Sequence, residues 1–348
     1  SGSAPDNNDI IHIHEGNAIP QISTASIEIA SLNIKNNGSL TITKDGQLTV
    51  SGEITNTSGS LTIQSDSDES GSLIAKSAST PSITYNNYIY SAQWKLIGLP
   101  VSGEVVDHID NNLLTNSSKS AIGFYDNDKA GGAGWVTFNT GSTSGTELVN
   151  TRGYEIRAAS SDGTVSFTGT MLNSDLTNVA ITTESSPGSN WNLVGNPYPA
   201  YVAINDNASG HDGDANNDGD WGDAGDNSNL NFLAKNNGPL NASYMYVYAW
   251  NGSSWDQYGL SETNVKHIAP GEGFFIYLRG GSLSGANVDF HEEMLTTGSF
   301  RNFNTPLSNG SQNENTGRLK LKITDLESGD YDKTKLYFND KRTTTINM

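Results

Sequence analysis

A block of seven residues, Trp94-Lys-Leu-Ile-Gly-Leu-Pro100, returns 97 positions later as Trp191-Asn-Leu-Val-Gly-Asn-Pro197. Three further blocks return in the same order. Trp135-Val-Thr-Phe138 matches Trp255-Asp-Gln-Tyr258, and Gly153-Tyr-Glu-Ile156 matches Gly273-Phe-Phe-Ile276, both 120 positions on. Val165-Ser-Phe167 with Met171-Leu172 matches Val288-Asp-Phe290 with Met294-Leu295, 123 positions on. Four blocks in one order mean that a single structural unit is built twice. Each copy consists of short apolar runs and turn signals such as Asn251-Gly252, with almost no helical periodicity. The expected fold class is therefore all-β, with two duplicated β-sandwich modules of jelly-roll type over 85–180 and 181–297.

A second, shorter period precedes the copies. Ser31-Leu-Asn-Ile34, Ser39-Leu-Thr-Ile42, Gln47-Leu-Thr-Val50, Ser60-Leu-Thr-Ile63 and Ser72-Leu-Ile-Ala75 are four-residue units with alternating apolar positions. Glycine closes most gaps between them, at Gly38, Gly46, Gly59 and Gly71, and Leu32, Leu40 and Leu48 lie eight apart. Alternation inside units and fixed spacing between them predict a short N-terminal β-solenoid over 4–84, with apolar side chains stacked inward. Residues 298–348 read as a linker rich in Asn, Ser, Thr and Gly. Two strands follow, Arg318–Ile323 and Lys335–Phe338, either a hairpin or the start of a further domain.

Composition narrows the function. The chain has 348 residues, no cysteine, 38 acidic and 19 basic side chains and a formal charge of −19. Thiol chemistry and disulfides are excluded. A non-specific grip on nucleic acid or on an anionic membrane needs clustered Lys and Arg, so neither is an expected partner. No apolar run approaches the ~20 residues of a membrane span. No secretory signal opens the chain, and Ser1-Gly2-Ser3 reads as a cloning remnant, which leaves room for a targeting peptide removed ahead of it.

The offset between copies grows from 97 to 120, which places a 23-residue insertion in the second copy, at about 206–231. Between Asp206 and Asp226 it carries seven aspartates and no Lys or Arg. Carboxylates so crowded repel one another unless a cation sits among them. Calcium takes 6–8 oxygen ligands, and Asp214-x-Asn216-x-Asp218-Gly219-Asp220 has the spacing of such a loop. The expected ligands are Asp212, Asp214, Asn216, Asp218, Asp220, Asp223 and Asp226. The stretch resembles the calcium loops of EF-hand, dockerin and thrombospondin type 3 proteins. It differs in having Gly225 at the twelfth position and no flanking helices.

The tryptophans divide the same way. Trp94, Trp191, Trp135 and Trp255 recur in both copies and are expected in the core. Trp221 and Trp250 occur once, and are expected to touch a ligand such as a sugar ring. Other chemistry is thin. His12 and His14 share a strand face without a third metal ligand. Asp107-His108-x-Asp110 lacks a nucleophile, Gly141–Gly145 has Thr at its centre rather than Ser, and His291-Glu-Glu lacks a second His. The chain is expected to be non-catalytic.

The blocks at 94–100 and 191–199, with Ile268-Ala-Pro-Gly-Glu-Gly-Phe-Phe275 and Val288-Asp-Phe290, resemble a recurring region of large surface and secreted proteins of the Bacteroidota. Gly195-Asn-Pro-Tyr-Pro199 is the most specific element. The resemblance implies an extracellular, β-rich protein exported by the type IX secretion system, and supplies no catalytic residue. The expected function is a non-catalytic, calcium-binding surface module, an adhesin or a binder of a glycan or cell-surface polymer. The alternatives are an accessory region of a polysaccharide-degrading or proteolytic enzyme, and a structural spacer.

Overall fold

The computed structural model describes residues 5–16, 19–24, 26–89, 93–110, 112–116, 119–127, 134–139, 145–159, 163–181, 189–213, 225–227, 230–252, 254–263, 265–279, 286–297, 318–324 and 331–337. Residues 1–305 form one compact unit and 306–348 another.

The N-terminal segment is solenoid-like, with three coils of three strands. They are β1 (Ile10–Ile13), β2 (Gln21–Ile22) and β3 (Ile27–Ile29), then β4 (Ser31–Ile34), β5 (Ser39–Ile42) and β6 (Gln47–Val50), then β7 (Ile54–Asn56), β8 (Ser60–Gln64) and β9 (Ser72–Ala75). Parallel pairing stacks β1-β4-β7, β2-β5-β8 and β3-β6-β9 into three faces. The eight-residue spacing thus runs around one coil. Leu32, Leu40 and Leu48 lie on successive faces, and their partners one circuit on are Ile54, Leu61 and Leu73. All six are buried. The corners need glycine where backbones stack: a Cβ on Gly38 would lie 2.6 Å from the Ile13 carbonyl oxygen.

The next strand, β10 (Ser82–Ile89), joins the solenoid to the first copy. It pairs in parallel with β8 and, over eight residues, antiparallel with Gly163–Met171. The expected boundary at 84/85 falls inside it. One continuous apolar cluster runs from Ile13 in the first coil to Met171.

The first copy continues with β11 (Lys95–Ile97), β12 (Val101–Ser102), α1 (Val106–Asp110), β13 (Thr115–Asn116), β14 (Lys119–Asp126), β15 (Gly134–Asn139), β16 (Tyr154–Ile156) and β17 (Gly163–Met171). The second has β18 (Leu176–Ala180), β19 (Trp191–Gly195), β20 (Tyr201–Ala203), α2 (Phe232–Lys235), β21 (Tyr246–Trp250), β22 (Trp255–Gly259), β23 (His267–Ile268), β24 (Gly273–Tyr277), β25 (Asn287–Phe290) and β26 (Leu295–Thr296). The duplication is visible in the strand order. One copy builds the antiparallel run β11-β16-β14-β15, the other β19-β24-β21-β22. Likewise β10 pairs with β17 and β18 with β25.

The copies meet reciprocally. Ile97 bridges Glu272, and its counterpart Val194 bridges Arg152, the counterpart of Glu272. The Gly98 N–H donates to the Gly271 carbonyl at 3.1 Å, and the Gly195 N–H to the Thr151 carbonyl at 3.1 Å. This is the self-complementary pattern of a two-fold dimer, closed within one chain. Gly98 and Gly195, the shared glycines of the tryptophan blocks, touch at its centre. A Cβ on Gly195 would lie 2.6 Å from the Gly98 Cα.

A buried polar junction fastens the second copy to the solenoid and to β10. The Tyr85 hydroxyl donates to the Pro270 carbonyl at 2.7 Å and contacts Ser70 Oγ at 2.9 Å. The Tyr201 hydroxyl donates to the Ser70 carbonyl at 2.9 Å. Lys95 Nζ donates to Asn87 Oδ1 at 2.9 Å, and Asn87 Nδ2 to the Gly271 carbonyl at 3.1 Å. Burial pulls the Lys95 ammonium down to about 8, partly offset by the Glu272 charge.

Residues 318–337 contribute the antiparallel pair β27 (Arg318–Thr324) and β28 (Tyr331–Tyr337).

Gly195→Ala is expected to destabilise the fold by about 1–3 kcal/mol, since the added methyl has only backbone to displace. Gly238→Ala, where a Cβ meets nothing within 4 Å, should leave the melting temperature unchanged in the same thermal scan.

Candidate binding site

Strand alternation gives the sheet β19-β24-β21-β22 two unlike faces. Val194, Val247, Ala249, Phe274 and Ile276 enter the core of the second copy. Leu193, Tyr248 and Phe275 point the other way, with Trp191, Tyr246, Trp250 and Tyr277 around them, and meet Leu96, Tyr125 and Trp135 of the first copy. Phe275 is the hub. Its ring lies edge-on to Tyr125 at 5.0 Å, Trp255 at 5.4 Å, Trp135 at 6.1 Å and Trp191 at 6.2 Å. Such edge-to-face pairs add about 0.5–1.5 kcal/mol each beyond area burial, so the rings are held in place.

Above this hub lies a cleft of about 430 Å³. Tyr125 and Trp135 line it from the first copy, and Trp191, Tyr248, Trp255, Gln257 and Phe275 from the second. Among the described residues, none of the lining side chains is basic or acidic. Trp255 remains 49% exposed.

The first copy serves as an internal control. The pairings Gly123↔Glu155 and Tyr248↔Phe275 occupy the same place in the two sheets. From that register, Ala121, Gly123, Glu155 and Arg157 of the first copy correspond to Tyr246, Tyr248, Phe275 and Tyr277 of the second. The shared strand order therefore does not require aromatic residues at these four positions.

The expectation that the four shared tryptophans are core is corrected. Trp94 is 37% exposed, Trp255 is more exposed still, and Trp135 and Trp191 line the cleft. Trp135 packs across the contact between copies against Phe275, whereas the rings around Trp191 and Trp255 belong to their own copy. Trp250, expected as a ligand contact, packs against Trp255 with tilted rings whose centroids are 5.3 Å apart. Trp221 lies outside the described residues.

Of the expected calcium ligands, Asp214, Asn216, Asp218, Asp220 and Asp223 lie outside the described residues, and Asp212 and Asp226 lie within them. The insertion occupies the connection between β20 and α2, where the first copy passes from β12 to α1 in three residues. Its root is clamped. Asp206 Oδ1 accepts from Asn231 Nδ2 at 2.7 Å and from the Gly213 N–H at 3.2 Å. Asn231 Nδ2 also donates to the His211 carbonyl, and Asn231 Oδ1 caps α2 through the Ala234 N–H. Among the described residues, no three acidic or histidine side chains converge as a metal site.

The remaining titratable motifs serve as braces. Glu104, buried, accepts from His108 Nδ1 at 2.8 Å and from the Thr168 N–H at 2.6 Å. His291 pairs with Asp175 at 3.1 Å. His12 and His14 are exposed on the first coil.

Glu155, which stands where the second copy has Phe275, is different. Burial pushes its carboxyl up to about 7. The folded state therefore holds the proton more tightly than the unfolded chain, and stability falls as pH rises from about 4.5 to about 7. Glu155→Gln is expected to match the wild type in melting temperature near pH 4.5 and to exceed it at pH 8.

The chain belongs to the family described as domain of unknown function DUF8693, which it matches over residues 1–347. Neither the curated proteins nor the solved structures contain a match to it.

Proposed function

We propose that this protein is a non-catalytic extracellular module that binds an uncharged polysaccharide in the aromatic cleft. The carrying observation is the four-position replacement that makes the cleft-side face of one copy aromatic, where its sister has Ala121, Gly123, Glu155 and Arg157. A sugar ring has an apolar C–H face and a rim of hydroxyls. The first suits the faces of Trp255 and Trp191, and the second suits Gln257 and the tyrosine hydroxyls. Charge selects among polymers. A net −19, and a lining without Lys or Arg among the described residues, disfavour polyanions. A surface location and type IX export accord with such a role and with the resemblance of the Gly195–Pro199 block.

Trp255→Ala is expected to abolish retention on an array of neutral polysaccharides, whereas Trp94→Ala, outside the cleft lining, should retain it. Equal binding by both variants and the wild type would remove the cleft from consideration.

The two strand sets are further proposed to be β-sandwich modules of jelly-roll type, supported by their matching four-stranded runs and by the β10-β17 and β18-β25 pairs. Calcium is proposed to neutralise the insertion, with Asp212, Asp214, Asn216, Asp218, Asp220, Asp223 and Asp226 as donors. The support is the aspartate spacing together with a root clamped by Asp206 and Asn231. Millimolar calcium is expected to raise the melting temperature and a chelator to reverse the rise. An Asp214→Asn, Asp218→Asn variant should show neither effect.

A further inference from the structure

We propose that the polymer site has a second subsite, in the hollow beside Tyr246, so that the ligand is a linear run of several sugar rings. This rests on the polysaccharide reading of the cleft. The hollow encloses about 470 Å³ and is lined by Asp206, Asn207, Met245, Tyr246, Leu260 and Ser261, among others. It is comparable in size to the cleft. Tyr246 joins the two, with its ring centroid 5.9 Å from that of the cleft-lining Tyr248.

Two features that distinguish the second copy from the first meet at this hollow. Tyr246 stands where the first copy has Ala121, and Asp206 and Asn207 begin the insertion. Both are held in place. The Tyr246 ring lies over Gly259, where a Cβ would come within 2.8 Å of the ring. Asn207 Nδ2 donates to the carbonyls of Leu260 and Glu262, and Asn205 Nδ2 to that of Gly259. These bonds fix the segment that leaves β22, the strand carrying Trp255 and Gln257. The hollow thus has an apolar floor at Met245 and Leu260, a polar rim at Asp206, Asn207 and Ser261, and an aromatic wall. Those are the same demands a sugar ring makes in the cleft. Two such spaces separated by one pair of tyrosine rings suit consecutive rings of one chain. Asp206 on the rim disfavours an anionic sugar here as well.

The test is calorimetric titration of the full chain with cello-, manno- and N-acetylchito-oligosaccharides, each from the dimer to the hexamer. Affinity is expected to rise with length and then level off. Tyr246→Ala, and Ser261→Trp at an exposed position on the wall, should each remove that rise. The longest ligand should lose about tenfold in affinity, the scale of one aromatic contact, and in the Ser261→Trp variant, which leaves the cleft lining intact, the dimer should bind as before. Tyr246→Phe should keep the rise. A rise unchanged in both blocking variants, or affinity independent of length in the wild type, would overturn the second subsite and leave the cleft standing. Failure of the wild type to bind any member of the three series would overturn the cleft and the subsite together.

Discussion

Two glycines back to back, Gly98 and Gly195, set the arrangement of the two copies. Each belongs to the same seven-residue block in its copy. Each lies where the other's backbone leaves no room for a Cβ. Close approach at this point lets Ile97 reach Glu272 and Val194 reach Arg152, and so locks the two four-stranded runs across a pseudo-two-fold axis. The Tyr85–Ser70–Tyr201 junction then ties the second copy to the solenoid, with hydrogen bonds of about 3 Å that are shielded from water.

That axis brings two faces of the same topology but different chemistry together. The first copy contributes Leu96, the half-buried Glu155 and two rings, Tyr125 and Trp135. The second contributes most of the rings, with Trp191, Tyr248, Trp255 and Phe275. Aromatic groups left facing solvent on an open sheet face are a liability for a soluble protein. Phe275 reduces it by holding four neighbours edge-on, which leaves Trp255 as the ring most open to solvent in the cleft. Glu155 shows the cost of the complementary choice, because its carboxyl gives up part of its hydration on this surface.

Much of this was legible in the residues. The five four-residue units from Ser31 to Ala75 all form strands, because alternation and corner glycines are local signals that need no tertiary information. The duplication predicted equivalent strands, and the insertion lies between β20 and α2, as the change in offset indicated. The shared tryptophans misled. Recurrence marks a position that the architecture uses, yet that use need not be an interior: Trp94 and Trp255 stay more than a third exposed, and Trp135 and Trp191 line the cleft. The aromatic replacements are invisible in the shared blocks because they lie where the two copies differ. Gly153-Tyr-Glu-Ile-Arg157 against Gly273-Phe-Phe-Ile-Tyr277 does carry the signal, in the positions where the copies disagree. Cross-strand register was the missing piece. It alone shows that Gly123 and Tyr248 occupy one site, and that β10 belongs to both the solenoid and the first copy.

Covalent fusion of the two halves has a consequence for how such a surface can change. In a homodimer, every substitution near the axis occurs twice, so a new ring on one side brings an identical ring on the other. With both halves encoded separately in one chain, position 275 could become Phe while position 155 remained Glu. An asymmetric groove could then arise on a symmetric frame without a second gene.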